Sequence, residues 1–164
     1  MKGFEIMAEE YVLPQKVIEK FKEELRELRT TGRNDIAEKI KEAKSFGDLS
    51  ENSEYDEAKS DQAKLEARIA EIEYTLAHAI VLDESALSTE MVHTGLSVKV
   101  YDRTFDETVV YHIVGAPQAN PVDNKISDES PVGKELLGHK VGDVISVDIP
   151  TGVDEIEILE IFKD

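Results

Sequence analysis

The feature that most restricts the fold of this chain is a strict heptad pattern between residues 55 and 79. Side chains that fit one packed seam recur at alternating intervals of three and four residues: Tyr55, Ala58, Gln62, Leu65, Ile69, Ile72, Leu76 and Ala79. This spacing puts the seam along a single face of an α-helix, as in a coiled coil. One narrow seam is suited to pairing with one other helix and is too small for the core of a larger bundle.

A second amphipathic segment precedes the first and can supply the partner helix. Its apolar residues form two groups, between which the phase of the pattern slips: Ile18, Phe21, Leu25 and Leu28, then Ile36, Ile40 and Ala43. Gly32 lies at the slip and costs about 1 kcal/mol inside a helix, while Thr31 or Asn34 could cap a new helix. The sequence therefore predicts a break in the first helix near residues 30–34.

Only a few residues separate the two amphipathic segments, so the predicted helices run antiparallel, as an α-helical coiled-coil hairpin. Gly47 is suited to the left-handed position that often follows the last turn of a helix. With about thirty residues in each arm and 1.5 Å of rise per residue, each arm is expected to be roughly 45 Å long.

The second half of the chain changes from a helical to an alternating pattern. Strands are predicted over residues 96–101, 108–114, 144–149 and 156–161, and Ser130-Pro131 is a start signal for a short helix that Gly138 ends. The predicted fold class is α+β: a helical hairpin followed by a small domain with an antiparallel sheet. The predicted boundaries are an N-terminal extension at 1–12, the hairpin at 13–82, and the second domain at 83–164.

Composition restricts the possible functions. Acidic residues outnumber basic ones 36 to 19, for a formal net charge of −17, which argues against broad autonomous binding to nucleic acid. The absence of cysteine excludes disulfides and cysteine metal sites. No stretch approaches the length of a membrane span and no signal-peptide pattern begins the chain, so a cytoplasmic protein, expected to be a monomer, is predicted.

The predicted hairpin tip, residues 47–55, reads Gly-Asp-Leu-Ser-Glu-Asn-Ser-Glu-Tyr. It carries Asp48, Glu51 and Glu54, and no basic residue follows until Lys59. Like charges at the end of a hairpin repel one another unless a cation arrives there. The tip is therefore interpreted as a place that delivers carboxylates to a metal ion or to a basic site.

A simpler interpretation of the same residues is structural. Asp48 followed by Glu51 has the spacing of a capping box, in which Asp48 accepts backbone N–H groups and Glu51 reaches back to the cap. Acidic residues in the first turn of a helix are also favoured by its dipole. From the residues alone this structural interpretation is slightly favoured, and both remain open at this point.

Two separate segments of the chain resemble known motifs. Residues 47–55 resemble the tip signature of the bacterial GreA/GreB transcript cleavage factors, and residues 126–133 and 137–143 are similar to motifs in that family's C-terminal domain. The resemblance covers nearly the whole chain, with both motifs in the family's order. It implies an FKBP-like C-terminal domain, which would dock on RNA polymerase around the entrance of its secondary channel.

The resemblance also implies a role for each tip residue. The coiled coil of such factors enters the secondary channel of a backtracked RNA polymerase, where the 3′ end of the nascent RNA is extruded. Asp48 and Glu51 would be the catalytic pair that helps hold a second Mg²⁺, so that the polymerase cleaves its own transcript. Glu54 is a weaker candidate for support. Lys44 and Lys59 would contact the extruded RNA, although a dipole-compensating or solvated role is about equally consistent with the sequence.

Three classes of function follow. The first is a factor that stimulates Mg²⁺-dependent transcript cleavage by RNA polymerase and has no nuclease activity of its own. The second is a non-cleaving, inhibitory channel binder of the same fold, against which the presence of both Asp48 and Glu51 argues. The third is a free-standing coiled-coil chaperone or prolyl isomerase, for which the second half has few aromatic residues and no tryptophan.

Overall fold

A computed structural model describes residues 10–47 and 52–164 of the chain. The described residues form two compact units, one of Lys16–His78 and the other of residues 10–15 together with Ala79–Asp164. Asp48 and Glu51, the predicted catalytic and metal-binding pair, lie outside the described residues. Within the described part, no helix is both long and apolar enough to cross a membrane.

The helical unit confirms the predicted hairpin. It contains α1 (Gln15–Glu27), a π-helical turn (Leu28–Gly32), α2 (Arg33–Ser45) and α3 (Ser53–Ala77). Glu24 is paired with Arg68, and Lys39 with Asp61, so residue numbers rise along one arm as they fall along the other. This order of contacts defines an antiparallel hairpin.

The predicted break near residues 30–34 is wrong. Glu27, Gly32 and Arg33 all have right-handed helical backbone angles, and no side chain of this stretch caps a restarted helix. The π turn accommodates about one residue more than an α turn, and this extra residue corrects the phase slip seen in the sequence. Ile36, Ile40 and Ala43 consequently return to the sheltered side of the helix.

Gly32 has a packing role in the continuous helix. A Cβ atom placed on Gly32 would lie 3.1 Å from Cδ1 of Leu65 on the opposite arm. The glycine therefore lets the two arms approach closely at the point where the π turn shifts the seam. The sequence pattern alone suggested a helix breaker, because the glycine's close neighbour is distant in the sequence.

Ion pairs follow the seam on its exposed flanks. The guanidinium of Arg68 donates to Glu24 at 2.7 and 3.0 Å, and that of Arg33 donates to Glu66 at 2.9 Å through two nitrogens. The side-chain hydrogen bond from Arg33 lowers the pKa of the Glu66 carboxyl below its ordinary value. These pairs set the register of the arms, because bidentate guanidinium–carboxylate pairs need a defined geometry.

The second unit contains a five-stranded sheet in the order β5-β4-β3-β7-β6. The strands are β3 (Ser97–Asp102), β4 (Glu107–Val114), β5 (Lys125–Ser127), β6 (Val144–Ile149) and β7 (Gly152–Phe162), and helix α4 is Pro131–Leu136. All neighbouring strands are antiparallel except β4 and β5. This arrangement confirms the predicted α+β class, its strands and its short helix.

One apolar core stabilises this unit. Eleven buried residues from the sheet, α4 and the segment before β3 form it: Val92, Leu96, Val98, Val100, Ile113, Leu136, Ile145, Val147, Ile156, Ile158 and Ile161. Helix α4 begins as predicted, since the Ser130 hydroxyl accepts the backbone N–H of Gly133 at 3.1 Å. The inward positions of the strands alternate with outward polar ones, as expected for a sheet packed on one face.

A short parallel pair of strands was not predicted. Strand β1 (Tyr11–Leu13) pairs with β2 (Ala79–Val81), and Leu13 is fully buried. Helix α3 therefore ends at Ala77, and Ala79, assigned to the heptad seam from the sequence, belongs to a strand. The compact units divide at 15/16 and 78/79, close to the predicted limits of the hairpin. The docking role assigned to residues 83–164 stays a prediction.

Candidate functional site

Two backbone hydrogen bonds and a left-handed glycine mark the end of the first arm, just before Asp48 in the sequence. The backbone N–H of Phe46 donates to the carbonyl of Ala43 at 3.3 Å, and that of Gly47 donates to Lys44 at 3.4 Å. Gly47 has a φ of +102°, a left-handed conformation that a residue with a side chain adopts at a cost. The expectation that Gly47 ends the first helix in this conformation is confirmed.

The start of the second arm is fixed by one side chain, that of Asn52. Its Oδ1 accepts the backbone N–H groups of Glu54 at 3.1 Å and Tyr55 at 3.2 Å, and its Nδ2 donates to the carbonyl of Ala43 at 2.5 Å. Asn52 therefore caps the N-terminus of α3 and satisfies a carbonyl in the last turn of α2. A single residue ties the two arms together next to the tip.

The position of this cap bears on the interpretation of Asp48 and Glu51 as a capping box. Helix α3 begins at Ser53, and the residue with the extended backbone of a helix cap is Asn52, at φ −86° and ψ 95°. The capping box that begins at Asp48 would need a helix that begins one residue later, at Leu49. Since Asn52 caps α3, Asp48 is not the N-cap of that helix, and the roles of Asp48 and Glu51 stay predictions.

Sequence reasoning missed Asn52, although a signal was present. Asparagine is among the preferred N-cap residues, and Asn52 precedes a serine and a first turn that carries Glu54 and Asp56. The spacing of the nearby acidic residues instead favoured a capping box formed by Asp48 and Glu51. The second bond of Asn52, to Ala43, joins residues nine positions apart and has no local sequence pattern.

An acidic groove lies between the arms beside the tip. It has a volume of about 190 Å³ and is lined by Lys39, Glu42, Ala43, Glu54, Glu57, Ala58 and Asp61. Asp61 is paired with Lys39 at 3.2 Å. Glu42, Glu54 and Glu57 make no ion pair with any described residue, so the groove carries uncompensated negative charge.

The two predicted RNA-binding lysines lie on different helices near the tip. Lys44 is exposed in the last turn of α2, where its charge also complements the helix dipole. Lys59 is exposed on α3, and its Nζ donates to Oε1 of Gln62 at 2.6 Å. Neither lysine forms an ion pair within the described part of the chain, and their role in binding RNA stays a prediction.

No metal site is complete in the described residues. Among residues 10–47 and 52–164, no three histidine or acidic side chains are arranged to hold a metal ion. Two of the four histidines have local partners: Nδ1 of His139 lies 3.1 Å from Oδ2 of Asp143, and Nδ1 of His78 lies 2.7 Å from the carbonyl of Tyr74.

The residues of the two motifs in the second unit stabilise turns of the chain. A Cβ atom on Gly133 would lie 2.0 Å from the carbonyl oxygen of Ser127, and the Ser130 hydroxyl donates to that same oxygen at 2.6 Å. Asp143 accepts the backbone N–H of Lys140 at 2.9 Å and contacts His139, and these hydrogen bonds lower its pKa. Both motif segments therefore form tight turns around α4.

The chain matches two family models in sequence. Residues 11–81 match the model described as "Transcription elongation factor, N-terminal", and residues 87–163 match "Transcription elongation factor, GreA/GreB, C-term". The division between the two models falls after β2, in the segment that leads to the five-stranded sheet. Together the models cover both units of the described chain.

Individual relatives agree with the family models. The chain is 53% identical to transcription elongation factor GreA of Thermoanaerobacter pseudethanolicus over 96% of this chain and 100% of the relative. It is 56% identical to GreA of Clostridium acetobutylicum over 92% and 96%. Among solved structures, GreA factor homolog 1 of Thermus thermophilus is 32% identical over 93% of this chain and 99% of that one, with a TM-score of 0.45.

A hairpin of two helices followed by a small α+β unit, matched over its length by these models, defines a bacterial-type transcription elongation factor. The chain belongs to the GreA/GreB transcription elongation factor family.

Proposed function

We propose that this protein stimulates the cleavage of backtracked RNA by RNA polymerase, through a hairpin tip that enters the secondary channel. The observation that carries the proposal is the cap formed by Asn52. Because Asn52 satisfies the N–H groups of Glu54 and Tyr55, Asp48 and Glu51 are not required for capping α3. Two carboxylates that the cap of α3 does not require, in the segment that connects the two arms, are suited to a task in a partner's active site.

The acidic groove supports the same proposal. Glu42, Glu54 and Glu57 add negative charge between the arms, near the helix ends that residues 48–51 connect in the sequence. This potential favours the approach of a divalent cation, while the groove itself has no arrangement of three ligands for one. The proposed metal site is therefore incomplete in this protein alone. It becomes complete only when the polymerase and the RNA supply the other ligands.

The proposed ligands of the metal are carboxylate oxygens, which suit Mg²⁺. Mg²⁺ is commonly held by one or two carboxylates together with waters and substrate phosphates. Asp48 and Glu51 are three residues apart, so their Cα atoms lie within about 10 Å of each other even in an extended chain. A second Mg²⁺ held there would supply charge stabilisation for phosphodiester hydrolysis. The two residues would hold it and orient an attacking water, and the protein alone would not be a nuclease.

The C-terminal unit is proposed to dock on the rim of the channel. Docking keeps the tip near the active site at a high effective concentration, so the tip itself need not bind tightly. Lys44 and Lys59 are proposed to contact the extruded RNA. Their contribution to cleavage should then fall as salt rises, because contacts to phosphate depend on the release of counterions.

The experiment measures transcript shortening in stalled elongation complexes with purified polymerase and Mg²⁺. Asp48→Asn and Glu51→Gln should each lower the cleavage rate by roughly a hundredfold, since the lost interaction with a metal is worth several kcal/mol and each ~1.4 kcal/mol is a factor of ten. Polymerase binding should be nearly unchanged. Asp56→Asn on the first turn of α3 and Glu38→Gln on α2, both outside the acidic groove, are matched controls, for which the same change should have little effect.

Each outcome separates the alternatives. If wild-type protein binds the polymerase and inhibits synthesis without shortening RNA, the protein is a non-cleaving channel binder. If the Asp48 and Glu51 variants stimulate cleavage as well as the wild-type protein does, the catalytic assignment of these two residues is wrong, even if the protein is a cleavage factor. Mg²⁺-dependent cleavage of naked RNA by the purified protein would contradict the proposed dependence on the polymerase.

A further inference from the structure

A cavity of about 300 Å³ lies in the C-terminal unit, where β1 and β2 meet one end of the five-stranded sheet. The hydrogen bond from Leu82 N–H to the Leu13 carbonyl, at 2.8 Å, holds β1 and β2 together there. Two glycines let the walls approach: a Cβ atom on Gly95 would lie 2.6 Å from Leu82, and one on Gly115 would lie 2.9 Å from the Val12 carbonyl. The cavity is therefore part of the fold, and its volume is within the range of small-ligand sites.

Three polar residues of the sheet lie in one row at this cavity. Ser97 on β3 is directly opposite His112 on β4, and His112 is directly opposite Lys125 on β5. Directly paired residues of neighbouring strands point to the same face of a sheet. The row thus places a hydroxyl, an imidazole and an ammonium side by side, and both His112 and Lys125 line the cavity.

The imidazole of His112 is held in one orientation. Its Nδ1 lies 3.0 Å from Oδ2 of Asp164 and 2.7 Å from Oγ of Ser97, and Ser97 Oγ donates to Oδ1 of Asp164 at 2.7 Å. The ionised carboxylate only accepts, and the single hydroxyl hydrogen is used on it. Nδ1 must therefore carry the ring hydrogen, so in the neutral ring Nε2 is an acceptor.

This cluster has the residue types of a hydrolytic triad but not its geometry. In a triad the serine and the aspartate contact opposite nitrogens of the histidine, whereas here both contact Nδ1. Ser97 is also only 1% exposed, which leaves its hydroxyl inaccessible to a substrate. The cluster fixes the ring and leaves Nε2 without a hydrogen-bond partner among the described residues, and His112 belongs to the cavity lining.

Two lysines add positive charge to the wall in a strongly acidic protein. Lys125 has no ion-pair partner among the described residues, and Lys163 donates to the main-chain carbonyl of Glu84 at 3.5 Å. The Asp164 carboxylate is occupied by Ser97 and His112. The lining also includes Glu84, so a ligand that enters the cavity meets two lysines, one glutamate and the His112 imidazole.

The remaining side chains of the lining are mainly aliphatic. They are those of Val12, Pro14, Leu82, Leu87, Leu96, Ile113 and Val114, while Glu84, Thr94 and Gln118 are polar, and the lining includes no Phe, Tyr or Trp on which a nucleobase could stack. The wall therefore favours a branched aliphatic group over a planar ring. The cavity thus suits a ligand that has an anionic group, a hydrogen-bond donor and an aliphatic group. The last residue of a peptide chain has all three, as its carboxylate, its amide N–H and its side chain.

We propose that this cavity binds the free C-terminal residue of a polypeptide that ends in an aliphatic side chain. The carboxylate lies against Lys125 and Lys163, the amide N–H donates to Nε2 of His112, and the side chain packs on the aliphatic wall. This is a form of C-terminal carboxylate capture. It is separate from the tip and does not depend on the function proposed for Asp48 and Glu51.

The test uses four small probes that differ by one feature each, with the full chain observed by NMR at the ring hydrogens of His112. N-acetyl-L-leucine should shift these signals saturably, with a Kd of about 1 mM expected for a ligand of its size. N-acetyl-L-leucinamide lacks the charge, isocaproate lacks the acetamido group with its N–H, and N-acetylglycine lacks the side chain. Each should bind at least ~10-fold more weakly, the loss expected for one missing contact.

Matched variants assign the binding to this cavity. Lys125→Ala and Lys163→Ala should each weaken N-acetyl-L-leucine several-fold, whereas Lys99→Ala, a lysine of β3 outside the cavity, should not. His112→Phe keeps a ring and removes the acceptor, so N-acetyl-L-leucine should lose its advantage over isocaproate, with aliphatic signals of the wall as the readout. Equal binding of the acid and the amide, an unchanged Kd in both lysine variants, or no saturable shift would overturn the proposal.

Discussion

In the hairpin, the buried apolar cluster consists of Leu25, Ile69 and Ile72, and ion pairs flank it along both arms. In the C-terminal unit, eleven buried apolar residues form one continuous core. Each helical turn of the hairpin is thus stabilised mainly by the turn that faces it on the other arm. Each strand of the sheet is stabilised by packing within the whole core. Equal substitutions should therefore have unequal costs in the two units.

The largest effect is expected for Gly133→Ala in the C-terminal unit. The new Cβ would lie 2.0 Å from the carbonyl oxygen of Ser127, a backbone atom that cannot move without disturbing the turn before α4. Leu136 of α4 belongs to the core, so the displacement should spread to the sheet. The expected loss of unfolding free energy is about 3 kcal/mol, from the cost of overpacking. Hydrogen exchange resolved by segment should show it in β3 and β7.

The control for this prediction is Gly138→Ala, a substitution at a residue with a φ of +79° and open space around its Cβ. It should cost only the roughly 1 kcal/mol of a strained backbone. If Gly133→Ala costs no more than Gly138→Ala, the close approach of Ser127 is not what requires glycine at position 133.

Sequence patterns predicted those parts of the fold that depend on neighbours along the chain. The seam from Tyr55 to Leu76, the strands around Val98 and Ile158, and the Ser130 cap follow from periodicity or from local turn chemistry. The patterns failed where a distant contact decides the structure. Gly32 packs against Leu65 of the opposite arm, and Ala79 pairs with Tyr11 in a strand.

The next largest effect is expected in the hairpin, for Asn52→Ala. The change removes the cap of α3 and the bond to Ala43 together, for an expected loss of about 1–2 kcal/mol. Asn52→Asp keeps an acceptor for the cap and removes only the Nδ2 donor, so it should lose less. Exchange of the Glu54 and Tyr55 amides measures the cap directly, because these two amides are the ones it protects.

Asn34→Ala is the control for Asn52, since Asn34 is exposed on α2 and alanine is the better helix former. It should leave the exchange of Glu54 and Tyr55 unchanged. If Asn52→Ala also leaves it unchanged, the cap does not fix the start of α3. The capping-box interpretation of Asp48 and Glu51 would then be open again.

The candidate site was predicted less completely than the fold. The tip motif indicated Asp48 and Glu51 by resemblance, and Gly47 followed from its backbone freedom. The link between the arms could not be predicted, since the Nδ2 of Asn52 bonds to a carbonyl of the other helix. The acidic groove likewise needs the register of α2 against α3, which brings Glu42 near Glu57.

A smaller effect is expected for Gly32→Ala, the hairpin counterpart of Gly133→Ala. Alanine is favoured over glycine by about 1 kcal/mol in a helix, and the new Cβ meets only the end of the flexible Leu65 side chain, at 3.1 Å. The helix preference should exceed the packing cost, for a net gain of about 0.5 kcal/mol. Thermal unfolding followed by circular dichroism measures it. A loss above about 1 kcal/mol would show that the seam at the π turn has no room for a methyl group.

The smallest effect is expected for Glu66→Gln, which removes the exposed ion pair with Arg33. The hydrogen bond from Arg33 lowers the pKa of Glu66 in the folded state, so the carboxylate stabilises the hairpin at pH values above its unfolded pKa. This contribution is lost as the pH falls through the lowered folded pKa. Wild type should therefore be slightly more stable than the variant at neutral pH, and the two should converge in acid and at high salt. Glu38→Gln, on the exposed side of α2, should show no such convergence. A Glu66 difference that persists in acid would mean that packing of the side chain, and not its charge, stabilises the arms.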